Sequence, residues 1–186
     1  QEQVKKIFDV AEYYFNNKQY NLALYCYVRY IQHNPEGEQV KTAKERISRI
    51  TPYAKNAMNQ QNEESGMTKL FKDGTMLCCQ YEPGDEAFII QQGKLVISTV
   101  NEGREQVHVV LGEGTPVGQM ALLTGNPRSA NMIAKGDVQV LAVTKDNFDM
   151  MVKNQPEMAK KLLEEFAEHI WSSYRKLSNK ILFFEQ

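Results

Sequence analysis

The stretch GTPVGQMALLTGNPRSANMIA, residues 114–134, holds the residue types that bind a phosphate group. Gly118 precedes a short apolar run that fits one helical turn, and Arg128 follows the turn sequence GNP. Backbone N–H groups at the start of a helix point toward an anion, and an arginine fork can donate to two oxygens at once. The stretch therefore predicts an anion-binding loop.

Charge and composition exclude several kinds of partner. The chain has 186 residues, 42% of them hydrophobic, and a formal net charge of −1. Its Lys and Arg residues are spread evenly, so no long-range field would gather nucleic acid or an anionic membrane. No apolar stretch approaches the length of a membrane span, and residues 1–15 lack a signal-type apolar run. We therefore expect neither a nucleic-acid nor a membrane partner.

The cysteines and histidines indicate neither a disulfide framework nor a metal site. The cysteines show no CxxC spacing and no partner His, which is typical of small buried thiols in a reducing compartment. The histidines share no spacing, although a metal site would need them clustered with a carboxylate. We expect a cytoplasmic protein without a metal. These residues are Cys26, Cys78, Cys79, His33, His108 and His169.

Residues 1–50 predict a small helical unit. The apolar spacing indicates a helix over residues 2–15, a second over Tyr20–His33 that ends at Asn34-Pro35, and a third from about Glu36. Since the chain starts at Gln1 within this pattern, we expect further sequence upstream. The inward-facing residues are predicted to be Val4, Ile7, Phe8, Ala11, Tyr14 and Phe15, then Leu22, Ala23, Cys26, Tyr27, Tyr30 and Ile31, then Val40, Ala43, Ile47 and Ile50.

The first two helices resemble one tetratricopeptide repeat, with Ile7 where that family favours Trp. This resemblance implies a surface for a protein partner, and a generic helical hairpin is the alternative. The residues that carry it are Ile7-x2-Val10-Ala11-x2-Tyr14, Ala23-x3-Tyr27 and Pro35.

After a polar linker at residues 51–67, the pattern changes to short runs rich in β-branched and aromatic residues, separated by turn signals such as Gly93. This spacing predicts an antiparallel roll or barrel. A last strand lies in DVQVLAVTKDNF, and from Gln155-Pro156 the pattern is helical.

About residues 68–180 resemble the cyclic nucleotide-binding domain family, which includes catabolite activator proteins, kinase regulatory subunits and gated channels. The blocks that agree in order are FKDGTMLCCQYEPGDEAFIIQQGKLVIS, LGEGTPVGQMALL, NPRSANMIA and VLAVTKDNFDMMVKNQPEMAKKLLEEF. The resemblance implies an α+β fold, in which a jelly-roll-like antiparallel β-roll with C-terminal helices follows the helical unit. The predicted segments are 1–50 for the tetratricopeptide-like unit, 51–67 for the linker, 68–155 for the roll and 156–186 for the C-terminal helix.

The resemblance also implies the roles of the site residues. Amides at Gly118, Met120 and Ala121 would face the phosphate, and Arg128 would pair with a phosphate oxygen, which a Lys would not copy. Ser129, with Ala130 beside it, would touch the phosphate or the purine edge. The expected apolar wall residues, each equally compatible with plain core, are Val96, Val117, Leu122 and Met132.

Gln119 departs from the family pattern, which has Glu there to accept the ribose 2′-hydroxyl. A carboxylate acceptor contributes roughly 1.5–3 kcal/mol and a neutral amide about 0.5–1.5, so a cyclic mononucleotide should bind a little under tenfold more weakly. Loss of this negative charge makes a cyclic dinucleotide, with its second phosphate, an alternative ligand. A further alternative is an interaction scaffold whose nucleotide pocket has degenerated.

No nucleophile elbow, catalytic carboxylate pair or Walker loop is present in the sequence, so we expect a non-enzymatic sensor without a cofactor. It would bind a cyclic nucleotide and relay binding to a protein partner or a dimer interface. Acids at turn signals, such as Glu102, Glu105 and Asp137, are expected to be solvated. Because a transcription factor of the catabolite activator type would need a helix-turn-helix after the long helix, and the sequence stops at Gln186, we do not expect DNA binding through that motif.

The C-terminal helix carries a candidate seam for a homodimer, because its apolar residues follow 3-4-3-4 spacing. Packing of the same stripe on the chain's own roll is the alternative. The seam residues are Leu163, Phe166, Ile170, Ser173 and Leu177.

Overall fold

The computed structural model describes residues 2–54 and 67–182. Residues 55–66 of the predicted linker, and the last four residues of the predicted C-terminal helix, lie outside the described residues. The helices are α1 (Glu2–Asn16), α2 (Tyr20–His33), α3 (Val40–Ile50), α4 (Gln119–Thr124), α5 (Lys145–Asn154) and α6 (Pro156–Leu182). The strands are β1 (Thr68–Phe71), β2 (Met76–Cys78), β3 (Glu86–Asn101), β4 (Arg104–Leu111), β5 (Pro116–Val117) and β6 (Asn131–Thr144).

The first two helices and their inward faces match the sequence prediction, but α3 begins four residues later than predicted. Gly37 N–H donates to the Asn34 carbonyl at 3.0 Å, and Val40 N–H donates to the Gly37 carbonyl at 3.0 Å. These bonds form successive turns, so the chain reverses direction before the helix starts at Val40. The core of the helical unit is fully buried and contains Ile7, Ala11, Tyr14, Ala23, Cys26, Tyr27 and Tyr30.

Residues 68–144 form the predicted antiparallel sheet, in the strand order β1-β6-β3-β4, with β2 paired to β6 and β5 paired to β3. Strand β3 continues through Gly93, where the sequence predicted a break. Gly93 has a φ of +86°, and a Cβ there would lie 3.1 Å from the Val138 Cα atom of β6. A glycine therefore allows a bulge and a close approach of β6 without ending the strand.

The helical unit packs directly on the outer side of the roll. Met76, Cys79 and Val100 belong to the same buried cluster as α1 and α2. The Tyr14 hydroxyl donates to a Glu105 carboxylate oxygen at 2.9 Å. The prediction that Glu105 is a solvated acid is wrong, because strand β4 turns its side chain toward α1.

Helix α6 packs on its own roll through a face that includes Phe166 of the predicted seam but not Leu163. Phe166 is 1% exposed and Leu162 is also buried, in one cluster with Leu122 of α4, whereas Leu163 is 39% exposed. Since Phe166 is already covered within the chain, it is not available to a second copy. The side chains of Ser173 and Leu177 lie outside the described residues. Among the described residues, no helix has both the length and the apolar composition to cross a membrane.

Candidate functional site

Arg128 is a buried arginine whose side chain is held by backbone carbonyl groups. It is 4% exposed, and its Nη1 donates to the Glu86 carbonyl at 2.7 Å and to the Gly118 carbonyl at 3.2 Å. The guanidinium also lies 5.6 Å from the centre of the Phe88 ring. Its Nε is buried and has no hydrogen-bond partner. A buried charged donor without an acceptor destabilises the folded chain. An anion at the Nε edge of the guanidinium would supply the missing acceptor.

Two glycines make room for this guanidinium. A Cβ at Gly84 would lie 2.5 Å from the Arg128 Cζ atom, and a Cβ at Gly118 would lie 2.6 Å from Nη1. Gly118 also has a φ of +75°, a left-handed conformation that a residue with a side chain rarely adopts. Arg128 therefore keeps its position because both neighbours lack side chains.

The predicted amide donors lie at the start of α4, where Gly118 is the N-cap residue and Met120 and Ala121 are in the first turn. The N–H groups of Gln119, Met120 and Ala121 open this short helix, so no carbonyl within the helix can accept from them. Ser129 and Ala130 follow Arg128 and lead into β6. The structure thus brings Gly118 and Arg128 into contact, with the other predicted residues adjoining one or the other along the chain.

Gln119 is buried, and its side chain contacts the C-terminal helix. Its Nε2 lies 3.0 Å from Nδ1 of His169 in α6. The neighbouring Leu122 packs in the cluster that contains Leu162 and Phe166 of α6. The helix that starts the predicted phosphate loop is therefore connected to α6 by one polar contact and one apolar cluster.

The residues predicted to form the apolar wall of the pocket lie in three different parts of the fold. Val117 and Met132 lie in the core of the roll beside Phe88, and Leu122 lies against α6. Val96 pairs with Ile133, which packs on the helical unit, so Val96 lies on the opposite face of β3 from Leu95 of the roll core.

A cavity of about 340 Å³ adjoins Arg128 and includes residues that the sequence analysis did not select. This volume is near the lower end of the usual range for small-ligand sites. One wall comes from helix α2, and sequence spacing gave no signal for this because α2 is far away along the chain. The cavity is lined by Arg29, His33, Leu77, Glu82, Pro83, Gly84, Asp85, Glu86, Gly125 and Arg128.

The buried carboxyl group of Glu82, which lines the cavity, has a raised pKa. Burial raises the pKa of Glu82 to about 7, and the positive charges of Arg29 and Arg128 oppose this rise. Burial and the charge of Arg29 lower the pKa of His33. The two arginines are therefore the permanent cations of the cavity.

Within residues 2–54 and 67–182, no group of three or more His, Cys, Asp or Glu side chains is placed to hold a metal ion. All three cysteines are buried, as the sequence predicted, and the Sγ atoms of Cys26 and Cys79 are 3.1 Å apart.

Comparison with known proteins finds a family similarity over the roll. Residues 68–155 match the family described as the cyclic nucleotide-binding domain. A cyclic nucleotide-gated potassium channel of Mesorhizobium japonicum is 36% identical over 86 residues, which are 46% of this chain and 22% of the channel. The chain thus spans less than a quarter of the length of this curated relative.

Solved structures share the fold. A cyclic nucleotide-binding domain from Methylobacillus flagellatus aligns over 72% of this chain and 84% of its own, with a TM-score of 0.58 and 18% identity. The catabolite activator protein of Thermus thermophilus aligns over 63% of this chain and 55% of its own, with a TM-score of 0.55 and 26% identity. Residues 68–155 therefore match the model of this family, and the chain shares its fold with both solved structures.

Proposed function

We propose that this chain is a non-enzymatic sensor that binds a cyclic nucleotide through the loop between Gly118 and Ala130. The observation that carries the proposal is the buried Arg128, with a partly satisfied guanidinium held between two glycines. The phosphate of a cyclic nucleotide carries the negative charge that this group requires. In this proposal Met120 and Ala121 supply backbone amides, and Ser129 binds the phosphate or the purine edge.

The contact between Gln119 and His169 suggests how binding is relayed. In our proposal a bound nucleotide displaces the Gln119 side chain from His169, which removes one contact that holds α6. A ligand that binds the two arrangements of α6 unequally shifts their populations. The signal would then reach a protein partner or a second copy of the chain, and we place this activity in the cytoplasm.

The sequence analysis left two alternatives to this sensor. A cyclic dinucleotide could use the same loop, because Gln119 adds no negative charge against a second phosphate. Alternatively, the tetratricopeptide-like unit could serve as a scaffold for a protein partner while the roll binds nothing. The buried, incompletely bonded Arg128 favours a ligand site over the scaffold.

Calorimetric titration distinguishes the cyclic mononucleotide sensor from the cyclic dinucleotide receptor and from the scaffold. Cyclic AMP, cyclic GMP and the cyclic dinucleotides are titrated into the chain and into its Arg128→Ala and Arg104→Ala variants, the second being an exposed arginine at the start of β4. We expect one mononucleotide to bind, Arg128→Ala to weaken it by more than tenfold, and Arg104→Ala to leave it unchanged. Absence of heat across the whole panel would refute the sensor.

A further inference from the structure

Two residues that line the cavity, Arg128 and Glu82, each have one buried polar atom without a hydrogen-bond partner. One is the Nε–H donor of Arg128, and the other is the Oε2 acceptor of Glu82. The Glu82 side chain is 5% exposed. Buried polar groups of this kind are normally satisfied, so each calls for an explanation.

Glu82 and Arg128 are joined through their backbones. The Arg128 N–H donates to the Glu82 carbonyl at 2.8 Å, and the Arg128 carbonyl accepts from the Tyr81 N–H at 2.8 Å. These bonds hold the two residues side by side, and both residues line the same cavity, with Arg128 Nε and Glu82 Oε2 buried behind its surface. A ligand in this cavity would therefore lie beside both residues.

Helix α2 holds the Glu82 carboxylate but leaves one of its oxygens without a hydrogen bond. Arg29 Nε lies 3.2 Å from Oε2, but its hydrogen is directed to the Tyr25 hydroxyl at 3.1 Å. The Tyr25 hydroxyl in turn lies 3.3 Å from Oε1. The charge of Glu82 is thus compensated by Arg29, while Oε2 retains its capacity to accept a hydrogen bond.

A ligand that satisfies both groups must present an anionic acceptor and a hydroxyl donor close together. The phosphate and the ribose 2′-hydroxyl of a cyclic mononucleotide have this chemistry, and the family's carboxylate for the hydroxyl is replaced in this chain by Gln119. We propose that Glu82 accepts the ribose 2′-hydroxyl while Arg128 binds the phosphate, with Tyr25 and Arg29 of the helical unit positioning the carboxylate. This inference rests on the proposed function.

The protonation of Glu82 gives the inference a second observable. An ionised carboxylate is a stronger acceptor than a protonated one, so preference for a ribose hydroxyl should rise as the pH passes upward through about 7. The charges of Arg29 and Arg128 oppose the raised pKa of Glu82, and burial lowers the pKa of His33, which lines the same cavity. Tyr25, Cys78 and Cys79 also interact electrostatically with Glu82, and Asp85 and Glu86 line the same cavity.

The test compares cyclic AMP with 2′-deoxy cyclic AMP. Calorimetry on the whole chain should show a preference for the ribose form of about tenfold or more, which Glu82→Gln reduces to about threefold. Glu45→Gln, an exposed control in α3, should keep the full preference. If Glu82→Gln does not fold, the same ratio measured on the unaltered chain at about pH 6 and about pH 8 replaces it, and should be larger at the higher pH.

Three outcomes overturn the inference, in ways that separate it from the proposed function. Equal affinity for the two nucleotides, or a preference that survives Glu82→Gln and does not change with pH, removes Glu82 from the site while cyclic nucleotide binding stands. Tighter binding of both nucleotides by Glu82→Gln would instead show that the carboxylate competes with the phosphate. If no cyclic nucleotide binds the unaltered chain, the proposed function fails, and this inference fails with it.

Discussion

Gly84 lies so close to Arg128 that a Cβ at this glycine would be 2.5 Å from the guanidinium carbon. Gly84→Ala should therefore displace Arg128 and weaken a bound cyclic nucleotide by about tenfold or more, since a charged hydrogen-bond partner would be misplaced. The φ angle of Gly84 is outside the left-handed region, so the substitution acts by contact and not by backbone strain.

Gly112→Ala is the matched control for this prediction. Gly112 also has a φ that alanine can adopt, and a Cβ there would meet nothing within 4 Å. Nucleotide titration of both variants measures the effect. Equal affinities for the two would show that the position of Arg128 does not depend on Gly84.

His169→Ala should tighten cyclic nucleotide binding by about fivefold, because the ligand would no longer have to break the contact between Gln119 and His169. Glu168→Ala changes an exposed neighbour on the same helix and should have no effect. Competition against a fluorescent cyclic nucleotide measures both. A loss of affinity in His169→Ala would mean that this histidine supports the site and does not restrain it.

The raised pKa of Glu82 predicts how stability depends on pH. Because the folded-state pKa of about 7 exceeds the ordinary value of 4.5, this group's contribution is fully present below about pH 4.5 and is lost as the pH rises through 7. Its loss lowers the free energy of unfolding by about 3 kcal/mol at most. Urea unfolding of the chain and of Glu82→Gln should therefore show a difference that changes across pH 5–8. Parallel pH profiles would contradict the raised pKa.

The fold was largely predictable from the sequence, since turn glycines and alternating apolar residues specify the strands locally. The roles of Arg29, Glu82 and Glu105 were not predictable, because each depends on the helical unit packing against the roll. Tyr14 and Glu105, for example, are hydrogen-bonded partners 91 residues apart along the chain. The contact between Gly84 and Arg128 likewise exists only in the folded chain.

The homodimer predicted from the sequence stays a prediction, but its interface must differ from the seam first proposed. Phe166 is buried in the chain's own core, whereas Leu163, Trp171 and Tyr174 are exposed on α6. The Trp171 and Tyr174 rings stack with their centres 5.9 Å apart. If α6 mediates a dimer, Trp171→Glu should produce a monomer while Val152→Glu, an exposed control on α5, should not. Light scattering that shows a monomer for the unaltered chain would exclude the dimer.

The central claim is that the Arg128 guanidinium binds the phosphate of a cyclic nucleotide. Proton–nitrogen NMR of the arginine Nε–H groups tests this directly, with the Arg128 signal assigned by its absence in Arg128→Lys. On addition of cyclic AMP or cyclic GMP we predict that the Arg128 Nε–H signal shifts and becomes protected from exchange, while that of the exposed Arg49 does not move. Saturable nucleotide binding that leaves the Arg128 signal unchanged would contradict the account.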